Sequence, residues 1–566
     1  MLVFKIIRLI LLMISCYGWI AFITEKKIKV EFAVMLFVSG TGSVMFLAGI
    51  LNIMESVCLL TAVTGFIFAV KSFIKNKFPV YLCSYGGIAL IIFAIGLFAI
   101  VYGSKFIKYD NFSHWVVVAR EILENNRFPN FQDTLITFQS YPTGSASFIY
   151  YMCKVSGIHS EWMMMYAQDL AIIGMLLPLF AFCKKVYSVI LPAVTIVFIL
   201  CCNVSISDIY VDTLLLCTGA AGVLFCIYYR KAISNLYLAL VPVLIFVVSI
   251  KNSGVFFAVV ILAYLLLFGA GKNFKNTLIL LAITLGTIFL WKQHVALVFE
   301  NGLTAKHSMS VANLSSTFSE KTKDDILLIC SNYAKRVFTL KNEFLYFVLG
   351  IFALLAFVWK SRKKYLSHMV KVSAFCLGVY VVYQLSLLGM YLFSMPTNEA
   401  IAVGSYDRYH MTIVGFLVII MLPQIMKIYI SGVWATVIWY GSIVCAEYFS
   451  LTPDFTCLAR TNWKATERYR YEKVIMENNV PFKSSYMILR SDEDDGYSYW
   501  FYRYYLDSDQ VSVFNDSQLS ILGEPWGLYE YIIVLDGTPA EYDFINNTLG
   551  IDSNDQVIKL SDWQNK

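Results

Sequence analysis

Charge is scarce in this sequence. Only 14% of its 566 residues are Asp, Glu, Lys or Arg, against 58% hydrophobic, and the mean hydropathy is +0.66. So little charge cannot cover a water-exposed globular surface, and most of the chain must be solvated by lipid. The positive excess is also small, +6 over the whole length. It falls in short loops between apolar runs, so it reports membrane orientation and excludes a nucleic-acid surface. The thirteen cysteines lie almost all in apolar segments and lack metal-ligand spacing. Adjacent Cys201 and Cys202 cannot chelate as a CxxC pair would, and the cysteines read as small core residues. Long-period repeats and low-complexity tracts are absent too. Lys5 and Arg8 precede the first apolar run, but no small-x-small cleavage site comes before Glu25, so this run reads as a retained span.

What is present is a succession of apolar runs of roughly 16 to 25 residues, the length that crosses a bilayer core. About fourteen are expected, near 2–24, 32–53, 57–74, 80–102, 162–183, 186–203, 211–229, 233–250, 255–270, 277–291, 344–359, 369–393, 410–426 and 433–449. The expected fold is an all-α polytopic membrane bundle of about 13–14 transmembrane helices with a small C-terminal α/β domain. Its sections are N-terminal spans (1–103), a first large outer loop (104–161), the remaining spans and outer loops (162–450) and the tail domain (451–566). In the tail, helix-like segments at 461–478 and 497–506 alternate with β-rich runs at 486–489, 511–514 and 531–535, an α/β pattern.

Lysine and arginine fix the orientation, because cytoplasmic loops hold the positive excess. Lys26, Lys27 and Lys29, then Lys71, Lys75 and Lys77, Lys184 and Lys185, Arg230 and Lys231, Lys272 and Lys275, the 360–364 cluster and Lys427 all fall on one side. The segments 104–161, 205–210, 292–343, 394–409 and everything after 450 then face out. Two costs follow. Lys5 and Arg8 flank an external N-terminus, and the apolar patch 145–155 must lie in the interface or re-enter.

The most informative stretch is Tyr109-Asp110-Asn111-Phe112-Ser113-His114-Trp115, directly after a long apolar segment. Residues 111–126 read as a helix whose stripe of Phe112, Trp115, Val116, Ala119, Ile122 and Leu123 suits a helix lying flat on the bilayer. Asp110 falls at its N-cap, where it either caps the helix or presents a carboxylate for acid/base chemistry. His114 lies one turn on, as a partner of Asp110 or a polar anchor. A turn signature, Tyr141-Pro142-Thr143-Gly144, then precedes another apolar run.

This order of span, acidic residue, amphipathic helix, Pro-containing loop and Tyr-Pro-x-Gly resembles the GT-C superfamily of multi-span glycosyltransferases. Tyr210-Val211-Asp212, Lys251-Asn252-Ser253-Gly254 and Ser405-Tyr406-Asp407-Arg408-Tyr409 add to the likeness, which covers roughly residues 80 to 450. The chain departs from the pattern where Thr143 replaces a second proline, where Asn111 replaces a second acid, and in three extra leading spans. The resemblance implies a catalytic acid in the first outer loop, here Asp110, and a polyprenyl-phosphate-sugar donor.

The chemistry agrees. An outward-facing site has no nucleotide sugars, so the activated sugar must arrive on a lipid. A positioned carboxylate, Asp110, can take the acceptor hydroxyl's proton. Cations must balance the leaving phosphate: Arg408 first, then Lys251, Lys306 and His307, each of which can instead anchor a span end or sit in a solvated loop. His114, Tyr141, Asp212 and Tyr409 complete the substrate-binding candidates. Asp208 and Asp212 can serve as a second acid or hold a divalent metal, or Asp212 can cap its helix. No cofactor is otherwise implied. The Asp492-Glu493-Asp494-Asp495-Gly496 cluster is a solvated turn or a cation loop. The expected partners are the lipid donor, a cell-envelope glycan acceptor and the cell membrane itself. Trp463, Trp500 and Trp526 either stack on that glycan or fill a small core. The expected function is an inverting membrane glycosyltransferase. The alternatives are a flippase of lipid-linked sugars and a multi-span polysaccharide polymerase, and neither needs a carboxylate base at Asp110.

Overall fold

The computed structural model describes residues 2–75, 80–202, 206–269, 273–299, 311–339, 343–361, 363–429, 455–519, 522 and 527–563. Among them, eight helices are long and apolar enough to cross a membrane, from Val3–Glu25 to Tyr406–Met426. Five shorter apolar helices accompany them, Tyr85–Val101, Val186–Cys201, Asp212–Tyr228, Gly254–Phe268 and Phe344–Lys360. The chain is a multi-pass helical membrane bundle. The run expected at 433–449 lies outside the described residues.

Local chemistry explains where the helices join and break. The Leu2–Glu25 and Met54–Ile74 helices cross closely because Gly18 and Gly65 face one another, and a Cβ on Gly18 would run into the Gly65 carbonyl. Small residues are what allow membrane helices this proximity. Pro178 ends the α-helix Glu161–Leu176, which continues as a 3-10 turn over Leu177–Phe182. Pro242 likewise starts the helix Val241–Ile250 after a 3-10 turn, Tyr237–Leu240. Both follow from a residue without an amide hydrogen and with fixed φ.

The basic loops gather at one end of the bundle. Lys75 pairs with Glu25 at 3.2 Å, the Lys29 backbone N–H donates to Tyr229 Oη and its Nζ to the Ala181 carbonyl, and Arg230 donates to the Phe268 carbonyl. The opposite end gathers the long polar segments. There Lys154 pairs with Glu55 at 2.9 Å, Phe131 N bonds Val298 O, and Lys321 reaches the Met395 carbonyl. Arg8 also ends here and donates to the carbonyls of Lys154 and Val155. These belong to the last turn of the helix Gly144–Ser156, where a cation meets the negative end of the dipole. That contact accounts for a basic residue on this side.

Two expectations about this end need correction. The 145–155 patch is expected in the interface or re-entering, and the interface placement is the one overturned: the helix Gly144–Ser156 is buried inside the bundle, with Tyr150 and Tyr151 at 0% exposure. The 111–126 segment is not laid flat on lipid either. It forms a π-helical turn, Asn111–Trp115, followed by an α-helix, Val116–Asn125, and its stripe of Phe112, Val116, Ala119, Ile122 and Leu123 is buried in protein. The tail supplies the cover, since Phe112 sits among the rings of Tyr497, Phe501 and Tyr504. An apolar stripe specifies burial and leaves the covering phase open.

The tail is a small α/β domain. Strands β1 (Tyr486–Arg490), β2 (Val511–Asn515), β3 (Tyr531–Val534) and β4 (Val557–Lys559) form one sheet in the order β2-β1-β3-β4. β1 pairs in parallel with β2 (Tyr486 opposite Val511) and with β3 (Tyr486 opposite Tyr531), and β4 is antiparallel to β3. The helices Glu467–Glu477 and Tyr497–Tyr505 pack with β1 side chains Tyr486 and Ile488 in the core shared with the bundle, and Met487, Leu489, Ile532 and Val534 build a separate core on the other face. The expected helix at 461–478 is shortened because Trp463–Ala465 forms a 3-10 turn. The acidic run 492–495 caps a helix: Asp494 accepts from the amides of Ser498 and Tyr499 and from Arg490, and Asp495 accepts from the amide of Tyr497. Carboxylates used in this way are not a cation loop.

One buried cation fastens the tail to the 104–161 segment. Arg468, 1% exposed, contacts both oxygens of Glu161 at 2.7 Å and Glu472 at 2.8 Å. Lys105 completes the cluster on Glu472 at 2.6 Å, and Arg120 pairs with Asp507 at 2.7 Å.

Candidate functional site

Asp110, His114, Tyr141, Asp212, Lys251, Arg408 and Tyr409 line one cavity of about 510 Å³ at the end of the bundle that carries the long polar segments. These residues come from five separate segments of sequence. Lys306 and His307 lie outside the described residues.

Each polar group is placed by a local feature. Asp110 precedes the π-helical turn and makes no side-chain cap bond. Its backbone N–H donates to Tyr210 Oη at 3.2 Å, and its carboxylate takes a 2.6 Å hydrogen bond from Arg408 Nη1. The capping reading of Asp110 is therefore overturned, because a guanidinium competes better for a carboxylate than a backbone amide does. Arg408 stands in the first turn of the helix Tyr406–Tyr429, which begins four residues earlier than its apolar run. Its Nε lies 3.4 Å from Asp212 Oδ2 without hydrogen-bond geometry, and its guanidinium rests over the Tyr210 and Tyr409 rings. Asp212 opens the helix Asp212–Tyr228, one residue after its N-cap, Val211. Its carboxylate accepts from Lys251 Nζ at 2.9 Å.

Two glycines bring Lys251 into position. A Cβ on Gly144 would strike the hydroxyl and backbone of Ser249, and one on Gly254 would strike the Val247 carbonyl. Gly144 thus lets the Tyr-Pro-Thr-Gly turn press against the end of the Val241–Ile250 helix, and Gly254 closes the turn that follows. Lys251 emerges between them, 5.0 Å from the Tyr409 ring centroid. Tyr409 is held in turn by Tyr383, whose hydroxyl donates to its carbonyl at 3.0 Å.

The charges form a chain from Asp110 to Arg408 to Asp212 to Lys251, two acids and two bases. His114 does not join it. Its ring packs edge-on against Trp115, Phe138 and Tyr141, and burial, with Lys251 as a second cause, pulls its pKa down to about 3. The Asp-His pair is thereby corrected: this histidine is a neutral wall residue near neutrality. Burial also pushes the Tyr141 hydroxyl up to about 12, which leaves it a hydrogen-bonding phenol.

Asp208 sits behind the site. It is fully buried, accepts from the Tyr210 amide at 2.9 Å and lies 3.9 Å from Lys108. Burial pushes its pKa up to about 7, against the pull of Lys108. Through Tyr210 it supports the loop against which Asp110 rests.

The cavity is amphiphilic. Leu215, Phe256, Leu387, Met390 and Met395 are among its apolar lining residues, and Tyr109, Trp500, Glu399, Ser405 and Asn252 among those that carry polar groups. Val255, Val259, Val381, Val382 and Leu385, on the same helices as several apolar wall residues, are exposed, as lipid-facing positions are. Trp500 belongs to the tail domain, and its indole N–H donates to Tyr109 Oη at 2.7 Å. The wall from the helix Leu366–Phe393, with Tyr383 and Met390, is absent from the sequence-based expectations. The adjacent polar residues Tyr383 and Gln384 inside an apolar run are the signal that marks it.

Among the described residues no three His, Cys, Asp or Glu side chains converge so as to hold a metal ion. Asp212 turns one oxygen to Lys251 and the other to Arg408, and Asp208 faces Lys108 and Tyr210. No family model, curated protein or solved structure matches the chain, and a functional reading rests on the residues themselves.

Proposed function

We propose that this chain is an integral-membrane glycosyltransferase of the cell membrane that moves a sugar from a polyprenyl-phosphate carrier to an extracytoplasmic glycan acceptor, with inversion at the anomeric carbon. The observation that carries the reading is the Asp110–Arg408 ion pair, joined to Lys251 and Asp212 in a cavity with an apolar wall. That combination suits a ligand with a phosphate, a sugar and a prenyl tail. The outward direction rests on the basic loops at the opposite end, which the positive-inside rule makes cytoplasmic. The resemblance to the GT-C superfamily points the same way.

In this reading the donor phosphate enters beside Arg408 and Lys251. It competes with Asp110 for the guanidinium, and a hydrogen bond that moves to the phosphate leaves a carboxylate oxygen of Asp110 open to the acceptor hydroxyl. Asp110 then takes the acceptor hydroxyl's proton as the oxygen forms its bond to the anomeric carbon. The bond from that carbon to the phosphate oxygen breaks, and the two cations balance the negative charge that stays on the carrier. Trp500 and Tyr109, on the wall the tail shares, offer aromatic faces to the acceptor sugar.

The test uses the full-length protein in proteoliposomes, given labelled polyprenyl-phosphate hexoses and pentoses together with delipidated cell-envelope polysaccharide. Wild type should transfer label from one donor, and Asp110→Asn should bind that donor but transfer at least about 1,000-fold more slowly, from the usual worth of a general base with its positioning. Full activity in Asp110→Asn would sink the base assignment. Movement of labelled lipid between leaflets without transfer would favour the flippase.

A further inference from the structure

We propose that Cys201 and Cys457 are joined by a disulfide in the mature protein, a covalent tie between the bundle and the start of the tail domain. Cys201 is the penultimate residue of the helix Ile190–Cys202, and Cys457 lies in the 3-10 turn Phe455–Leu458, the first described element of the tail. Their sulfurs are 3.7 Å apart although 256 residues separate them in sequence. Cys457 Sγ also lies 3.7 Å from the Leu200 carbonyl oxygen, so the turn is seated on the helix end. Closing the sulfurs to the bonded distance of about 2.0 Å takes a side-chain rotation and a small shift of a surface turn.

The compartment decides whether the bond forms, and here the inference rests on the orientation proposed above. Outer-loop thiols meet an oxidising environment and cytoplasmic ones a reducing environment. Cys457 is partly exposed and Cys201 is buried, which sets the order of events. The Cys457 thiolate attacks the disulfide of an extracytoplasmic dithiol oxidase, giving a mixed disulfide and freeing one oxidase thiol. The Cys201 thiolate then attacks the Cys457 sulfur, forming the protein disulfide and releasing the oxidase as a dithiol. Two protons leave the protein thiols, and the two electrons reduce the oxidase.

The experiment alkylates intact cells with a membrane-impermeant maleimide, extracts the full-length protein into denaturant with a second alkylating reagent, and maps its peptides without reduction. Cys83, exposed on the turn Val80–Cys83 at the basic end, is the orientation control. The expected result is one peptide pair linked through Cys201 and Cys457, lost on reduction and in Cys457→Ser, with Cys83 untouched by the impermeant reagent. Alkylation of both cysteines without reduction overturns the disulfide. If Cys83 is then still unlabelled from outside, the cross-link alone has failed. If Cys83 is labelled, the orientation has failed with it. Melting provides a second readout: Cys201→Ala and Cys457→Ala should lower Tm equally and the double variant no further, whereas additive losses overturn the bond.

Discussion

Asp110 and Arg408 stand 298 residues apart in the chain and meet at 2.6 Å. The acid comes from the start of a buried π-helical turn, the base from the first turn of a membrane helix. Both remain partly exposed to the cavity, with side chains 32% and 27% accessible. Both side chains line the cavity, so the pair is open to a ligand. The same guanidinium also faces Asp212, so a single side chain links two acids.

Replacing Arg408 with lysine should keep the charge and lose the fork. A lysine ammonium is a compact point charge and lacks the planar fork that spans Asp110, Asp212 and a phosphate at once. Transfer should fall about 100-fold or more, in the range of losing one transition-state donor. A proteoliposome assay of Arg408→Lys checks this, and wild-type turnover would show that only net charge matters.

Lys251→Met should strip Asp212 of its 2.9 Å partner and leave a nearly buried carboxylate facing Arg408 alone. Breaking such a pair costs about 3–5 kcal/mol, while removing both members costs much less. The expected result is a large drop in thermal stability in detergent for Lys251→Met, partly restored in Lys251→Met with Asp212→Asn.

The Asp208 carboxyl, raised to about 7 by burial, gives stability a pH dependence of definite sign. Between about 4 and 7 the folded chain keeps a proton that the unfolded chain has lost, so this group's contribution to stability falls as pH rises. Asp208→Asn removes that contribution. The variant's melting temperature, measured in detergent from about pH 5 to about pH 8, should gain on wild type as pH rises. A constant difference would show that Asp208 is charged throughout.

Arg468→Met should loosen the tail. Glu161 and Glu472 would lose their shared buried cation, a loss of about 3–5 kcal/mol. Limited proteolysis should then release a tail fragment at a protease dose that leaves wild type intact.

Trp500→Ala tests the tail's share of the cavity. Its indole lies 5.1 Å from the Arg503 guanidinium on the tail side and lines the cavity on the other. The acceptor KM should rise several-fold, as for loss of one aromatic contact worth about 1 kcal/mol, with the donor KM unchanged. An equal rise in both would place the donor against Trp500.

Much of the candidate site was legible because its residues are chemically conspicuous where they stand. An acid at the end of an apolar run, a lysine between two spans and an arginine beside a late span are each expensive unless used. Composition and run length likewise determined a multi-pass helical bundle, the position of most spans and the α/β character of the tail, since those depend on periodicity and transfer free energy along the chain. What surrounds each stripe was not legible. The stripe from Phe112 to Leu123 asked for an apolar cover, and only the tertiary structure decided that helix Gly144–Ser156 and the tail supply it in place of lipid. Side-chain pairing was equally out of reach: His114 follows Asp110 by one turn, yet Asp110 went to Arg408 and His114 to three aromatic rings. The physical reason is the same in both cases. Hydrophobicity and charge fix how much a residue gains from burial or a partner, and which partner it finds is set by how segments far apart in the chain pack.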